Sequence, residues 1–376
     1  MDNVTHTLFA LTLARTPISR AGRGTTAALV LASNAPDIDI VAALGGGTEY
    51  LRWHRGPTHG PLGVIGLAVV VTGMVWLVLR WLGRRPAVGP PGGGPDENEN
   101  ASFRTLVPIA LLGVLCHVLM DVPTSYGTRL LSPFDWHWFS TDLLPIVDVY
   151  LLAALFAGLM FGAGSEVNRR RNVTIVFTLM ALNYGVRAVT HERALAGAPR
   201  LFGPLLPQPC DAGAEGTSTL LDYWPRATVM NPRDPTRRCL VRLVALPTFL
   251  SPLQWRVIAH LSNAYEIQNV NLLERRFWMP PEGAEVLWRT TVRAPNVWTP
   301  AVLTAAATPL GQTFLGFARL PAVVSVVDAS SGVTSVRWTD LRFTDRPLRG
   351  PAPNGPFSII VRIDSDGRVL EEHLGP

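Results

Sequence analysis

Residues 106–127 read LVPIALLGVLCHVLMDVPTSYG, an apolar run that ends in a histidine and, four residues later, an aspartate. Positions four apart lie on one face of an α-helix, so His117 and Asp121 point the same way. Pro123 then ends the helix, and residues 124–127 are typical of a tight turn. Ionisable groups at the mouth of a membrane-length helix are costly to hold there without a function. The simpler alternative is an interfacial hydrogen bond between the two side chains.

The composition predicts a membrane protein. Apolar residues make up 48% of the 376 and charged residues only 16%, against about a quarter in soluble domains. Residues 62–79 form an uncharged run long enough to span a bilayer. Further candidate spans lie at 105–116, 143–162 and 172–189, and the apolar stretch 25–45 is interrupted by two aspartates. We therefore expect an α-helical multi-pass membrane domain over residues 1–191.

The arginines indicate how the chain is oriented in the membrane. The net charge is +5, every basic residue is an arginine, and the arginines flank the apolar runs, so we expect no nucleic-acid partner. The positive-inside rule places Arg15, Arg20, Arg23 and the run 169–171 on the cytoplasmic side. The Pro-, Gly- and acid-rich linker 86–102, which we expect to be disordered, lies on the same side.

This orientation brings metal-ligand side chains to one membrane face. Eight residues fall at the external ends of their segments: His6, Asp37, Asp39, His54, His59, His117, Asp121 and Asp148. Imidazole and carboxylate groups together suit zinc first, with manganese or ferrous iron as alternatives. With four to six ligands per ion, eight candidates predict either one or two ions, the remainder orienting the ligands.

If the site is hydrolytic, some of these residues and a nearby arginine have catalytic roles. A metal site that activates water needs a carboxylate as proton acceptor, for which Asp39 and Asp148 are the candidates. Arg55, and secondarily Arg129, would stabilise the negative charge that develops in the transition state.

The composition changes after residue 191, where prolines multiply and short β-like runs replace the apolar spans. Strands are predicted at 239–246, 255–261, 286–292, 323–327, 334–343, 358–363 and 368–372, and one helix at 301–317. Residues 192–376 are therefore expected to form a mostly β (α+β) domain outside the membrane, on the side of the site.

The cysteines test that placement. Cys116 ends an apolar run and is expected to be a buried thiol, whereas Cys210 and Cys239 lie in the tail, where an oxidising compartment would allow a disulfide. Two unrelated free thiols remain the alternative.

Five motifs in order resemble the YdjM-like family of inner-membrane metal-dependent hydrolases. They are residues 1–6 (MDNVTH), 35–39 (APDID), 54–59 (HRGPTH), 117–127 (HVLMDVPTSYG) and 146–148 (IVD). The resemblance implies a bacterial inner-membrane location and hydrolase activity, because these motifs are similar to those of zinc-dependent phospholipase C and its relatives among single-strand nucleases. Those enzymes are soluble and use their mature amino terminus as a metal ligand.

Two functions follow from these observations. The first is an integral membrane hydrolase with an externally facing metal site that acts on a phosphoester or lipid-like substrate at the bilayer surface. The second is a metal transporter or a metal-binding scaffold without catalysis. Transporters commonly place ion sites near the midplane between repeated halves, and no repeat is visible here. The sequence does not identify a protein partner for the tail.

Overall fold

A computed structural model describes residues 1–83, 100–161, 165–210, 222–224, 238–278, 288–344 and 357–375. The predicted linker 86–102 lies outside these residues except for its last three. Helices make up the amino-terminal region, and antiparallel sheets dominate the carboxyl-terminal region. The predicted fold class, a helical membrane domain followed by an α+β region, is confirmed.

The helices of the amino-terminal region have the following bounds: α1 Asn3–Leu13, α2 Thr25–Ala32, α3 Gly47–Trp53, α4 Pro61–Gly83, α5 Phe103–Asp121, α6 Val149–Phe161 and α7 Glu166–Ala196, with a 3-10 helix at Ala35–Gly45 after α2. In the described residues, three helices are long and apolar enough to cross a membrane: Pro61–Leu82, Phe103–Asp121 and Val167–Ala196. Helix α2 and the following 3-10 helix, bent by 41°, make a fourth if they are taken as one span.

Local sequence explains where these helices begin. The Asp2 carboxylate accepts a hydrogen bond from the Thr5 amide at 2.9 Å and so caps α1. Ser102 caps α5 in the same way through the Thr105 amide at 3.2 Å. The carboxyl end of α5 coincides with the turn that Pro123 imposes.

Small residues let α2 and α5 approach closely. A Cβ atom on Gly113 would lie 2.8 Å from the Cβ of Ala32 and 3.0 Å from the Leu29 carbonyl oxygen, so only glycine fits there. The Ser33 hydroxyl donates a hydrogen bond to the Gly113 carbonyl at 3.3 Å. Membrane helices associate by such close packing because lipid provides no hydrophobic driving force between them. This contact fixes the end of α2 against the middle of α5.

The carboxyl-terminal region contains two four-stranded antiparallel sheets. The first has the order β3-β4-β5-β6, with strands Leu240–Pro247, Gln254–Leu261, Ala264–Asn271 and Val292–Pro295. The second has the order β10-β9-β8-β7, with β7 to β10 at Pro321–Val327, Thr334–Asp340, Ser358–Ile363 and Val369–Leu374. Short strands β1 (Trp138–Ser140) and β2 (Asp222–Trp224) precede them.

Strand β4 is buried on both faces. Its Trp255 and Val257 pack with Phe202, which ends helix α8 (Ala198–Phe202), while its Ile258 packs with Tyr265 in a second cluster. Consecutive side chains of a strand point to opposite faces, so a strand with two buried faces lies between two packed layers.

Two features of the tail differ from the prediction. The single helix expected at 301–317 is wrong, because α9 (Pro300–Ala306) ends where the Thr308 hydroxyl caps α10 (Pro309–Phe317). Strand β5 was not predicted, since its sequence AYEIQNVN is half polar; its buried Glu266 is held by Arg238 at 2.6 Å and Arg293 at 3.2 Å. Part of the strand predicted at 286–292 lies outside the described residues.

The chain divides into two compact units. The first contains Met1–Val41, Trp53–Ser140 and Leu144–Val186, and the second contains Ala42–Arg52, Thr141–Leu143 and Arg187–Pro376. This division falls at 186/187, whereas the sequence predicts a boundary at 191/192. Within the second unit a disulfide joins Cys210 to Cys239, with Cα atoms 4.8 Å apart, and Cys116 in α5 is a free cysteine.

Candidate metal centre

Four side chains from three segments of the first unit converge on one point. Helix α5 contributes His117 and Asp121, the loop before α4 contributes His59, and the 3-10 helix contributes Asp37. One ligand atom from each lies within 4.8 Å of all the others. The structure thus brings together four of the eight ligands that the sequence predicts.

Five of the six separations between these ligand atoms are known individually and are close to those around a tetrahedral ion. The two imidazole Nε2 atoms are 3.2 Å apart, and Asp121 Oδ2 lies 3.4 Å from each of them. Asp37 Oδ1 lies 3.5 Å from His117 Nε2 and 3.9 Å from His59 Nε2. A tetrahedral zinc ion with bonds of about 2.1 Å holds its ligand atoms about 3.4 Å apart. The donor set therefore fits a divalent ion of that size.

Hydrogen bonds on the far side of each imidazole point its lone pair at this centre. His117 Nδ1 lies 2.8 Å from the Ser33 carbonyl oxygen, which only accepts, so in the neutral ring Nδ1 carries the proton and Nε2 presents its lone pair. His59 Nδ1 lies 3.0 Å from the Thr58 hydroxyl, which itself donates to Asp39 at 3.0 Å. Two unprotonated nitrogens facing each other at 3.2 Å repel unless a cation lies between them.

Burial favours the neutral form of His59 that metal binding requires. Desolvation lowers the pKa of His59 well below its usual range, and nearby positive charge, that of Arg55 included, lowers this pKa further. The side chains of His59, His117 and Asp121 are fully buried, whereas that of Asp37 is 14% exposed. Solvent therefore reaches the cluster on the Asp37 side.

Asp39 and His54, both predicted as ligands, lie beside the cluster rather than in it. The Asp39 carboxylate accepts hydrogen bonds from the Arg55 amide at 2.7 Å and from Thr58, and lies 2.9 Å from His54 Nδ1. With these donors in place, Asp39 orients the loop that carries His59. Burial lowers the pKa of His54 although the hydrogen bond to Asp39 opposes that shift.

Arg55 extends from the same loop into the cluster. Its guanidinium lies 3.1 Å from Asp121 Oδ1 and donates to the Gly127 carbonyl at 3.1 Å. The Tyr126 ring packs against it at 4.7 Å. The backbone of Arg55 is left-handed, with φ 51°, and this bend turns the side chain inward. A fixed positive charge thus lies next to the candidate metal position.

His6 and the amino group of Met1 complete the buried surroundings. The His6 ring stacks on His117 with centroids 3.9 Å apart, and its Nε2 lies 3.5 Å from Asp121 Oδ1. The Met1 amino group contacts the same carboxylate oxygen. Nitrogen donors therefore surround Asp121 on the side away from the four-residue cluster.

Two further predicted functional residues, Asp148 and Arg129, lie outside the four-residue cluster. Asp148 is buried, accepts a hydrogen bond from the Leu151 amide at 2.8 Å at the start of α6 and lies 3.4 Å from the Asn183 amide nitrogen. It is not in the four-residue cluster, and its roles as ligand and base stay predictions. The guanidinium of Arg129 packs over the rings of Trp136 and Trp138, and its charge-stabilising role stays a prediction.

The groups that orient the imidazoles were missed by sequence reasoning. A backbone carbonyl such as that of Ser33 has no sequence signature. Thr58, by contrast, stands directly before His59 in the quoted loop motif, and a hydroxyl beside a ligand histidine is a usable signal.

Comparison with known proteins places this site in a family. The chain is 28% identical over 132 residues to the Bacillus subtilis (strain 168) protein named "Uncharacterized protein YfhP", an alignment that spans 35% of each chain. No solved structure matches. The family model described as "YdjM inner membrane protein" matches residues 1–194. Because that match covers more than half of the chain and includes the whole metal cluster, the protein belongs to the YdjM inner membrane protein family.

Proposed function

We propose that this protein is an integral membrane hydrolase that uses one divalent ion, zinc in the first instance, to cleave a phosphoester or lipid-like substrate. The proposal depends on the convergence of Asp37, His59, His117 and Asp121, whose ligand atoms lie within 4.8 Å of one another, with both imidazole lone pairs directed inward in the neutral rings. An ion bound there would supply Lewis acidity and lower the pKa of a coordinated water.

The remaining chemistry is assigned to the chain itself. Arg55 is positioned to bind the anionic oxygen of a phosphoester and to stabilise the charge that grows during cleavage. With His59, His117 and Asp121 as the three protein ligands, the fourth position would be open to water. Asp37 is the cluster member on the solvent side, and its carboxylate is our candidate for the acceptor of that water's proton. Asp39 and Thr58 hold His59 in the tautomer that exposes Nε2.

An apolar rim next to the site supports a lipid-like substrate. In the 3-10 helix Asp37 and Asp39 turn inward, while Ile38 and Ile40 are 58% and 61% exposed. A polar substrate gains nothing from exposed isoleucines at the site entrance, whereas acyl chains bury against them. An outward-facing site, which the arginine distribution favours, would place this rim at the outer leaflet.

The test uses the purified full-length chain and measures bound metal and hydrolysis separately. We expect about one zinc ion per chain by elemental analysis and turnover of a chromogenic phosphodiester or a short-chain phospholipid. His117→Ala should lose both, whereas His137→Ala should lose neither, because His137 pairs with Asp135.

Metal binding without turnover of any phosphoester would overturn the hydrolase proposal and favour a metal-binding scaffold. Equal metal content in His117→Ala and the unsubstituted protein would overturn the site itself.

A further inference from the structure

A second polar site lies at the other ends of the helices that build the metal cluster. Helix α1 begins beside the cluster and ends near Arg15, while α2 ends at Ser33 beside His117 and begins at Thr25. A cavity of about 700 Å³ opens between these far ends. Nine residues separate His6 from Arg15, a helical rise of about 13 Å, so this cavity and the metal cluster are distinct.

The lining of the cavity is strongly basic. Five arginines contribute to it from separate stretches of chain: Arg15, Arg20, Arg23, Arg169 and Arg170. The other described lining residues are neutral, with threonine and serine hydroxyls among them, and none is acidic. Charges of one sign on several sides of a cavity create a positive potential there, which favours a bound anion.

Two of the five arginines have their positions fixed by hydrogen bonds. The Arg15 guanidinium donates to the carbonyls of Gly158 and Leu159 at 2.9 and 2.6 Å, at the end of α6. The Arg23 carbonyl accepts from the Ala101 amide at 3.1 Å, while the Arg23 side chain is exposed. The amino end of α2 opens into the same cavity, with Thr26 exposed, and the dipole of the helix favours negative charge there.

The depth of the cavity relative to the membrane indicates which anion it would bind. A Cβ atom on Gly24 would lie 2.6 Å from Leu79, so the cavity borders the end of the span Pro61–Leu82. That position corresponds to the headgroup layer of a bilayer. Phosphate is the anion abundant there, and arginine binds it in a bidentate manner.

From this geometry we propose that the cavity binds the phosphate of an anionic phospholipid headgroup in the leaflet opposite the metal cluster. The inference depends on the membrane location and not on the proposed hydrolysis.

The test compares two double variants that remove the same charge. Arg23→Gln with Arg169→Gln alters the cavity, whereas Arg104→Gln with Arg171→Gln removes two exposed arginines that do not line it. Each full-length protein in detergent is titrated with short-chain phosphatidylglycerol, short-chain phosphatidylcholine and inorganic phosphate. Bound molecules are counted by native mass spectrometry.

We expect the unsubstituted protein and the control variant to bind phosphatidylglycerol about tenfold more tightly than the cavity variant does. Phosphatidylcholine should bind weakly to all three. Equal loss in both double variants would overturn the site, because general charge would then explain the binding. Inorganic phosphate that binds as tightly as phosphatidylglycerol would overturn the lipid assignment in favour of a free phosphate.

Discussion

At the residue scale, the candidate metal site depends on hydroxyl and carbonyl groups outside the four-residue cluster. The Thr58 hydroxyl donates a hydrogen bond to Asp39 and can accept one from His59 Nδ1. A single hydroxyl therefore connects the candidate ligand His59 to the Asp39 carboxylate. This arrangement fixes the tautomer of a ligand histidine, as groups behind metal ligands generally do.

Thr58→Val removes that hydroxyl and keeps the side-chain shape. We expect zinc affinity to fall about 10- to 100-fold, measured by competition with a fluorescent chelator. Thr72→Val is the control, since Thr72 is buried in α4 away from the cluster. Unchanged affinity in Thr58→Val would show that another group holds the His59 ring.

Arg55 is the residue whose role is chemical rather than ligating. Arg55→Gln should retain bound metal, while the rate of phosphodiester cleavage falls about 10²- to 10³-fold, because a charge next to the developing anion is lost. The rate and the metal content are measured on the same preparation. Arg52→Gln is the control, as Arg52 pairs with Glu49 at 2.8 Å. Loss of metal in Arg55→Gln would instead assign Arg55 to holding Asp121 in place.

At the element scale, the packing of α2 against α5 connects the fold to the site. The Ser33 carbonyl that orients His117 lies directly after α2, and Gly113 allows the two helices to approach. A change in the distance between these helices therefore moves a group that holds a ligand.

Gly113→Val places a branched side chain where a Cβ already meets Ala32 and Leu29. We expect a destabilisation of about 1 to 3 kcal/mol and weaker zinc binding, measured by thermal unfolding in detergent with and without added zinc. Gly73→Val is the matched control, because a Cβ on Gly73 of α4 has nothing within 4 Å. A Gly113 variant as stable as the Gly73 variant would contradict the close approach.

At the scale of the whole molecule, the tail disulfide reports on topology. If the tail lies outside the cytoplasm, as we propose, the Cys210–Cys239 bond persists in cells. In a Cys116→Ser background, an impermeant thiol reagent should label intact cells only after reduction. Labelling that needs permeabilised membranes and no reductant would place the tail, and with it our orientation of the site, on the cytoplasmic side.

The sequence by itself determined the membrane class, the helical region followed by a mostly β region, and the pairing of His117 with Asp121. These depend on composition and on short-range periodicity, which a single chain segment carries. It also brought Cys210 and Cys239 forward as partners, because they are the two cysteines outside the apolar spans.

Only the tertiary structure decided which carboxylates belong to the cluster. Asp37 and Asp39 are chemically equivalent in sequence, yet one faces the imidazoles and the other receives donors from the His54 loop. Asp148 has the same side chain and serves as a helix cap. These roles depend on distances between segments that are far apart in the chain. Helix packing sets those distances, as the close approach at Gly113 shows. Local sequence patterns do not encode such packing.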